Sequence, residues 1–345
     1  MRKNDPRQNG LTLLVFVVGV LMLNPLTSGP TWSEKTPGSA KAENKLENRL
    51  RAHVDMLADS IGERNIWCPD ALSAAATYIE RFLVGRGYEV RSQTFETDRL
   101  PVRNLEVEIA GSTRAEEIVV VGAHYDSVVD SPGANDNASG VAGLLEIARR
   151  LAGTHPSRTL RLVAFVNEEP PFFQSAHMGS RRYAKRCRER GENIVAMLSL
   201  ETIGYYSSEK GSQHYPFPFS FFYPNTADFI GVVGNLSSRS LVKQVESAFE
   251  KHSDFPCESA SVPGWITGIG WSDHWAFWKE GYRAIMVTDT ALFRYPYYHT
   301  RDDTPDKVDF ASLARVVDGL TAVTAELTGI DPRIGDSVEG SLGSD

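Results

Sequence analysis

The stretch EIVVVGAHYDSVVDSPGANDNASG, residues 117–140, decides the fold. Its first part, Glu117 to Gly122, is a short β-branched apolar run with no room for a polar helical face, which predicts a buried strand. The strand ends in His124-Tyr125-Asp126 and opens into a loop of Gly, Pro, Asn and Asp that carries Asp136. An apolar helix over about Val141–Leu151 follows. Open α/β sheets bind their ligands where a strand hands such residues to a loop at its carboxyl end. His with carboxylates is also a ligand set for zinc and related metals.

Outward from this centre the pattern recurs. Upstream, Leu46–Ile61 and Ala71–Arg86 place apolar residues at helical spacing, and Tyr88–Thr97 and Asn104–Ile109 predict strands. Downstream, Thr159–Asn167 predicts a strand that delivers Glu168-Glu169, Gly179–Arg190 a basic helix, and Ile194–Leu200 a strand ending at Glu201. Strand and helix alternating in this way predict an α/β fold of three layers (αβα), with a mixed, mainly parallel central sheet and helices on both faces. Three of these strand ends present an acidic residue or a His. Tyr205–Thr226 is an aromatic, Pro-rich loop, either plain packing or an apolar wall over a site. Phe229–Val233 predicts a further strand and Leu241–Lys251 a helix; Ser259–Trp275 reads as a loop containing Ser272-Asp273-His274. Arg283–Thr288 predicts a short strand, Leu292–Thr304 an aromatic loop carrying His299, and Phe310–Leu327 a closing helix.

With 345 residues, 41% of them hydrophobic, the chain can bury one large α/β domain or two smaller ones. A net charge of −8 without a basic stripe argues against nucleic-acid binding, and 10% aromatic content argues against disorder. Arg2, Lys3 and Arg7 precede the apolar run Leu11–Leu23, short for a membrane span and typical of an export signal. Residues 1–29 therefore read as a signal peptide or, with no good cleavage site, an uncleaved membrane anchor, and the expectation is a periplasmic, secreted or membrane-anchored protein. Residues 30–45 read as a linker, 46–330 as a single folded domain and 331–345 as a disordered tail. Cys68, Cys187 and Cys257 are widely spaced without C-x-x-C, which leaves one disulfide with one spare thiol open.

His124, Asp136, Glu168, Glu169, Glu201 and His299 fall at strand ends or in the adjoining loops. Two His and an excess of carboxylates suit a two-metal centre, because two divalent ions about 3.5 Å apart need bridging and offsetting anions. Of the adjacent pair Glu168-Glu169, one glutamate can ligate while its neighbour remains free to take a proton from an attacking water.

His124-x-Asp126, Gly133-Ala-Asn-Asp136-Asn-Ala-Ser-Gly140, Asn167-Glu168-Glu169, Leu200-Glu201-x-Ile-Gly204, Ser272-Asp273-His274 and Tyr298-His299-Thr300 together resemble, in order, the co-catalytic zinc aminopeptidases of peptidase family M28. That family includes bacterial secreted aminopeptidases, glutamate carboxypeptidase-like enzymes and glutaminyl cyclases. The resemblance covers roughly Leu46–Thr328 and implies a zinc exopeptidase fold with two Zn2+, or one, acting on peptide substrates. It implies that Asp136 bridges both metals, that His124 and Glu201 complete one site, and that Glu169 and His299 complete the other. It further implies Glu168 as general base, Tyr298 as an oxyanion donor, Asp126 holding the far nitrogen of His124, and Asp273 in a supporting role. Many members carry Asp where this chain has Glu201, so the ligand here is longer by one methylene. His274 fits a structural hydrogen bond better than a ligand position.

The resemblance leaves three rivals to an exported aminopeptidase. They are a glutaminyl-peptide cyclotransferase using one zinc, a glutamate-type carboxypeptidase served by Arg294 and Arg301 near His299, and a non-catalytic binding descendant.

Overall fold

The computed structural model describes residues 37–331 and sets the apolar run at 118–123 in the interior of an eight-stranded sheet. Helix α1 (Pro37–Val54), extended by a π-type segment Asp55–Ile61, and α2 (Pro69–Val84) lead into the antiparallel hairpin β1 (Arg91–Thr97) and β2 (Leu100–Ile109). The central units follow: β3 (Arg114–His124), α3 (Gly140–Leu151), β4 (Arg158–Phe165), α4 (Gly179–Glu189) and β5 (Asn193–Glu201). The chain then forms β6 (Ile230–Gly234), α5 (Arg239–His252), β7 (Cys257–Ser261), α6 (His274–Lys279), β8 (Ala284–Thr288) and α7 (Phe310–Thr328).

The strand order is β1-β2-β4-β3-β5-β8-β6-β7. Strands β4, β3, β5 and β8 run parallel, β2 and β6 flank them antiparallel, and β7 is parallel to β6. From β3 the chain crosses to β4 on one side and then returns to β5 on the other, so the carboxyl end of β3 sits at a topological switch point. Alternation divides the strand: Val119, Val121 and Ala123 face the larger core with α1, α2, α3, α5 and α7, whereas Ile118 and Val120 face a smaller one with α4 and α6. The expected three-layer, mainly parallel architecture is the one observed.

Three boundaries differ from the sequence expectations. The presumed linker turns helical at Pro37, where a proline at the helix start and good helix formers (Ala40, Lys41, Ala42, Glu43) extend α1. Strand β7 begins inside what read as coil, because CESAS lacks apolar alternation and is strand only by pairing with β6 at the sheet edge. Helix α6, HWAFWK, is too short to show a helical period. Residues 1–29 and the tail after Asp331 lie outside the described residues; among those described, no helix is long and apolar enough to cross a membrane. Cys68, Cys187 and Cys257 are all free thiols.

One buried ion cluster docks α1 on α3. The fully buried Glu146 carboxylate meets Arg49 Nε at 2.8 Å, Arg149 Nε at 2.8 Å and His53 Nε2 at 3.4 Å. Burial pushes this carboxyl up, but the His53 hydrogen bond and the Arg149 and Arg49 charges outweigh it and hold the pKa at about 2. A carboxyl held below its unfolded value contributes stability that is complete above about pH 4.5 and fades as the pH falls toward the folded value. Glu146→Gln should therefore lower the unfolding free energy near neutral pH by about 2–3 kcal/mol. In urea titrations the gap from the wild type should narrow as the pH drops from neutral toward 3. A gap that does not change with pH would contradict this role.

Candidate metal centre

The switch point gathers the expected residues. His124 ends β3, Glu168 and Glu169 lie just beyond β4, Glu201 ends β5, Asp136 sits in the loop between β3 and α3, and His299 comes from the loop after β8. His124 Nε2 lies 3.4 Å from Asp136 Oδ1 and 3.3 Å from Glu201 Oε2, with Glu168 Oε2 at 3.9 Å. On the other side of the same aspartate, His299 Nε2 is 3.1 Å from Asp136 Oδ2 and 3.3 Å from Glu169 Oε2. All but His299 are buried.

The donor set fits a metal. His124 Nε2, Asp136 Oδ1 and Glu169 Oε1 are buried without a hydrogen-bond partner, an arrangement that is costly unless a cation is held there. His124, Asp136 and Glu169 can each offer a ligand atom with all three within 4.8 Å of one another. Burial, and then the charges of Glu201, Glu169 and Asp273, drive the Glu168 carboxyl well above the usual range against the pull of His124. Burial and Asp136 push Glu169 up to about 7. Burial opposes the charged form of both imidazoles, yet the facing carboxylates raise His124 well above its ordinary value and His299 to about 10. Asp136 is held down, because the imidazoles of His124 and His299 facing it outweigh its burial.

The loop carrying Asp136 is fastened by residues whose roles the sequence did not reveal. The Asp303 carboxylate accepts the backbone N–H groups of Asn135 (2.7 Å) and Asp136 (3.0 Å) and the Tyr295 hydroxyl (2.7 Å). Asn137 donates to the Leu200 carbonyl and accepts the N–H groups of Gly140 and Thr202, tying the loop to the end of β5. Gly140 permits this approach, since a Cβ there would stand 2.3 Å from Asn137 Oδ1 and 2.6 Å from the Leu200 oxygen. Asn135 joins Asp289 (2.8 Å) and the Gly204 N–H (2.8 Å). The buried Arg64 guanidinium donates to the carbonyls of Tyr125, Leu57, Gly62, Pro132 and Gly133. Spread over the chain from 64 to 303, these partners have no shared local pattern, and only an Asn/Asp-rich loop hinted at them.

The remaining candidates fall as follows. Asp126 has its carboxylate 3.6 Å from His124 Nδ1, while its own carbonyl is closer at 3.2 Å. That carboxylate also accepts the N–H groups of Glu168 (3.2 Å) and Glu169 (3.1 Å), so it orients the glutamate pair as well as the imidazole. Ser272, rather than Asp273, donates to Glu201 Oε2 at 2.7 Å. Asp273 is fully buried, and burial raises its pKa to about 7. His274 makes the structural contact expected of it, 2.7 Å from Nε2 to the Ile269 carbonyl, and burial lowers its pKa to about 4. Tyr298 stacks on His299 with ring centroids 3.9 Å apart. Tyr298 and Glu201 line an apolar chamber shared with Trp271, Met286, Leu292 and Phe293. Trp275 and Trp278 pack against the smaller core, while Trp265 and Trp271 are exposed. Arg294 is buried and donates to Gln213 and to the carbonyls of Ala227 and Phe229; Arg301 pairs with the exposed Asp130.

The profile of peptidase family M28 matches residues 104–324. The uncharacterized protein YfbL of Escherichia coli K12 is 39% identical over 314 residues, 88% of this chain and 95% of that protein. Aminopeptidase YwaD of Bacillus subtilis is 31% identical over 219 residues, 61% of this chain but only 41% of YwaD. Among solved structures, a zinc aminopeptidase of Bacillus subtilis aligns with a TM-score of 0.65 at 17% identity, covering 81% of this chain and 94% of that one. A glutaminyl cyclase of Fimbriiglobus ruber aligns with a TM-score of 0.60 at 19% identity, covering 87% and 98%. At such identities the structural matches speak for the fold, and the sequence match over nearly all of the first relative speaks for the family. The chain belongs to peptidase family M28, and with it to the peptidase class of hydrolases.

Proposed function

We propose that the protein is a zinc-dependent aminopeptidase, hydrolysing the first peptide bond of peptides with a free amino terminus at a two-metal centre. One observation carries the reading: the two oxygens of the single Asp136 carboxylate face two different imidazoles, Oδ1 toward His124 and Oδ2 toward His299. Each imidazole has a further carboxylate at 3.3 Å, Glu201 for His124 and Glu169 for His299. A shared aspartate with one His and one glutamate on each side is the ligand set of two adjacent divalent ions. Zinc bound there would polarise the scissile carbonyl and lower the pKa of a water.

The chain's own groups do the rest. Glu168, beside the cluster with its backbone fixed by Asp126, takes a proton from the attacking water and returns it to the leaving amine. The substrate's free amino group would be held by a carboxylate of the cluster or by a bound metal. Tyr298 lines the same chamber as Glu201, which supports a hydroxyl placed to meet the developing oxyanion. Arg294, committed to buried carbonyls, cannot hold a substrate carboxylate, which weighs against a carboxypeptidase. Residues 1–29 complete the proposal as an export or anchoring segment.

Three outcomes test this reading. Purified protein should hydrolyse aminoacyl-anilides in a zinc-dependent manner, and Glu168→Gln should lower kcat by about 10²–10⁴-fold with the metal content intact. If a single zinc binds and amino-terminal glutamine is cyclised instead, the aminopeptidase reading fails. Asp136→Asn should reduce the bound zinc measured by mass spectrometry from two equivalents to one or none; two retained equivalents would remove Asp136 from the bridge. Fractionation of cells making the full chain should find it outside the cytoplasm, and a cytoplasmic pool alone would refute the export reading.

A further inference from the structure

A second apolar chamber lies behind the one beside Glu201. The two are of similar size, and each is partly open to solvent. The second is walled by Tyr215, Phe219, Tyr223, Phe229 and Ile266. Four residues, Val233, Ile269, Thr290 and Phe293, line both and so form the partition between them. The loop Tyr205–Thr226, undecided from sequence between packing and a wall, thus supplies one side of a cavity that the proposed chemistry does not use.

Phe293 is the member of this partition built to stay in place. Its N–H donates to the Thr290 carbonyl at 2.7 Å, and its own carbonyl accepts the His214 N–H at 2.9 Å. Its ring lies against Gly268: a Cβ on that glycine would stand only 3.1 Å from the ring edge, and its φ of +88° suits glycine alone. The backbone at Phe293 is thus held on both sides, and Gly268 leaves room for the ring to lie against the chain.

We propose that Phe293 sets the length of side chain accepted at the first substrate position. Its ring lines both chambers, so it stands between a side chain held in the first and the apolar space of the second, which a longer aromatic side chain would otherwise enter. This rests on the aminopeptidase reading. The occupant follows from continuity: the first chamber opens on Glu201 and Tyr298, so a side chain entering it points from the metal cluster toward the partition. Apolar walls on both sides select an apolar occupant, and a blocked methylene or ring in such a pocket is worth about 10–200-fold in specificity.

The experiment compares kcat/KM for leucyl-, phenylalanyl- and 4-phenylphenylalanyl-anilides in the wild type, Phe293→Ala and Phe293→Leu. The wild type should favour leucyl over 4-phenylphenylalanyl by at least about tenfold. Phe293→Ala should move that ratio toward the longer substrate by about tenfold or more, chiefly through KM. Phe293→Leu, the gentler change should the alanine variant fold poorly, should shift it in the same direction by less. Phe221→Ala, on an exposed ring outside both chambers, should leave the ratio alone. An unmoved ratio in an active Phe293 variant, or a wild type that already cleaves the longest substrate as well as leucyl, overturns the proposal. Failure of the wild type to cleave any anilide instead overturns the aminopeptidase reading on which it stands.

Discussion

Four carboxylates and two imidazoles crowd into one pocket at the end of the sheet, most of them out of water, and this concentration of buried charge constrains everything around it. Burial alone would neutralise Glu168, Glu169 and Glu201, whose pKa values it raises. The cluster persists because each group faces a complementary partner and because the backbone beneath it is held by bonds that do not depend on the cluster itself. Asp303 accepts two N–H groups of the Asp136 loop, Asp126 accepts those of both glutamates, and Arg64 donates to five carbonyls around the loop. Buried acceptors and donors are thereby paired with backbone rather than left orphaned, which is the condition for tolerating them.

Backbone conformation carries part of the cost. Asn167 beyond β4, Thr202 beyond β5, Thr290 beyond β8, and His299 itself all adopt positive φ, between 46° and 64°, although none is glycine. Each is disfavoured by about 1–2 kcal/mol relative to ordinary backbone. They cluster where strands hand over to the loops that bear Glu168, Glu169 and the partition of the apolar chambers. Such turns aim side chains across the strand ends, and the parallel core, buried between helical layers on both faces, is rigid enough to hold them.

The chamber system shows the same division between chemistry and selection. The metal-facing groups stand at the ends of the central strands and in the loops that follow them, and the walls that would read a side chain combine the loops after β5, β7 and β8 with strand residues such as Val233 and Met286. Loops of this sort can change without disturbing the parallel strands, so one catalytic constellation can serve different side chains.

Much of this protein was legible without coordinates. Glu117 to Gly122 reads as a buried strand, and His124, Asp136, Glu168, Glu169, Glu201 and His299 fall at strand ends or in the adjoining loops in an order that matches the family. What stayed hidden was whatever depends on partners far apart in the chain: β7, a strand only because β6 lies beside it; Arg64 and Asp303, which no local pattern singles out; and Ser272, which donates to Glu201. Phe293 belongs with them, since a wall between two cavities exists only once Gly268 and the loop at 205–226 have come together. Local pattern and residue chemistry determine strands, helices and the kinds of groups at their ends. Which carbonyl an arginine reaches, and which ring closes a pocket, is decided by long-range packing, and a linear sequence does not encode it in any local pattern.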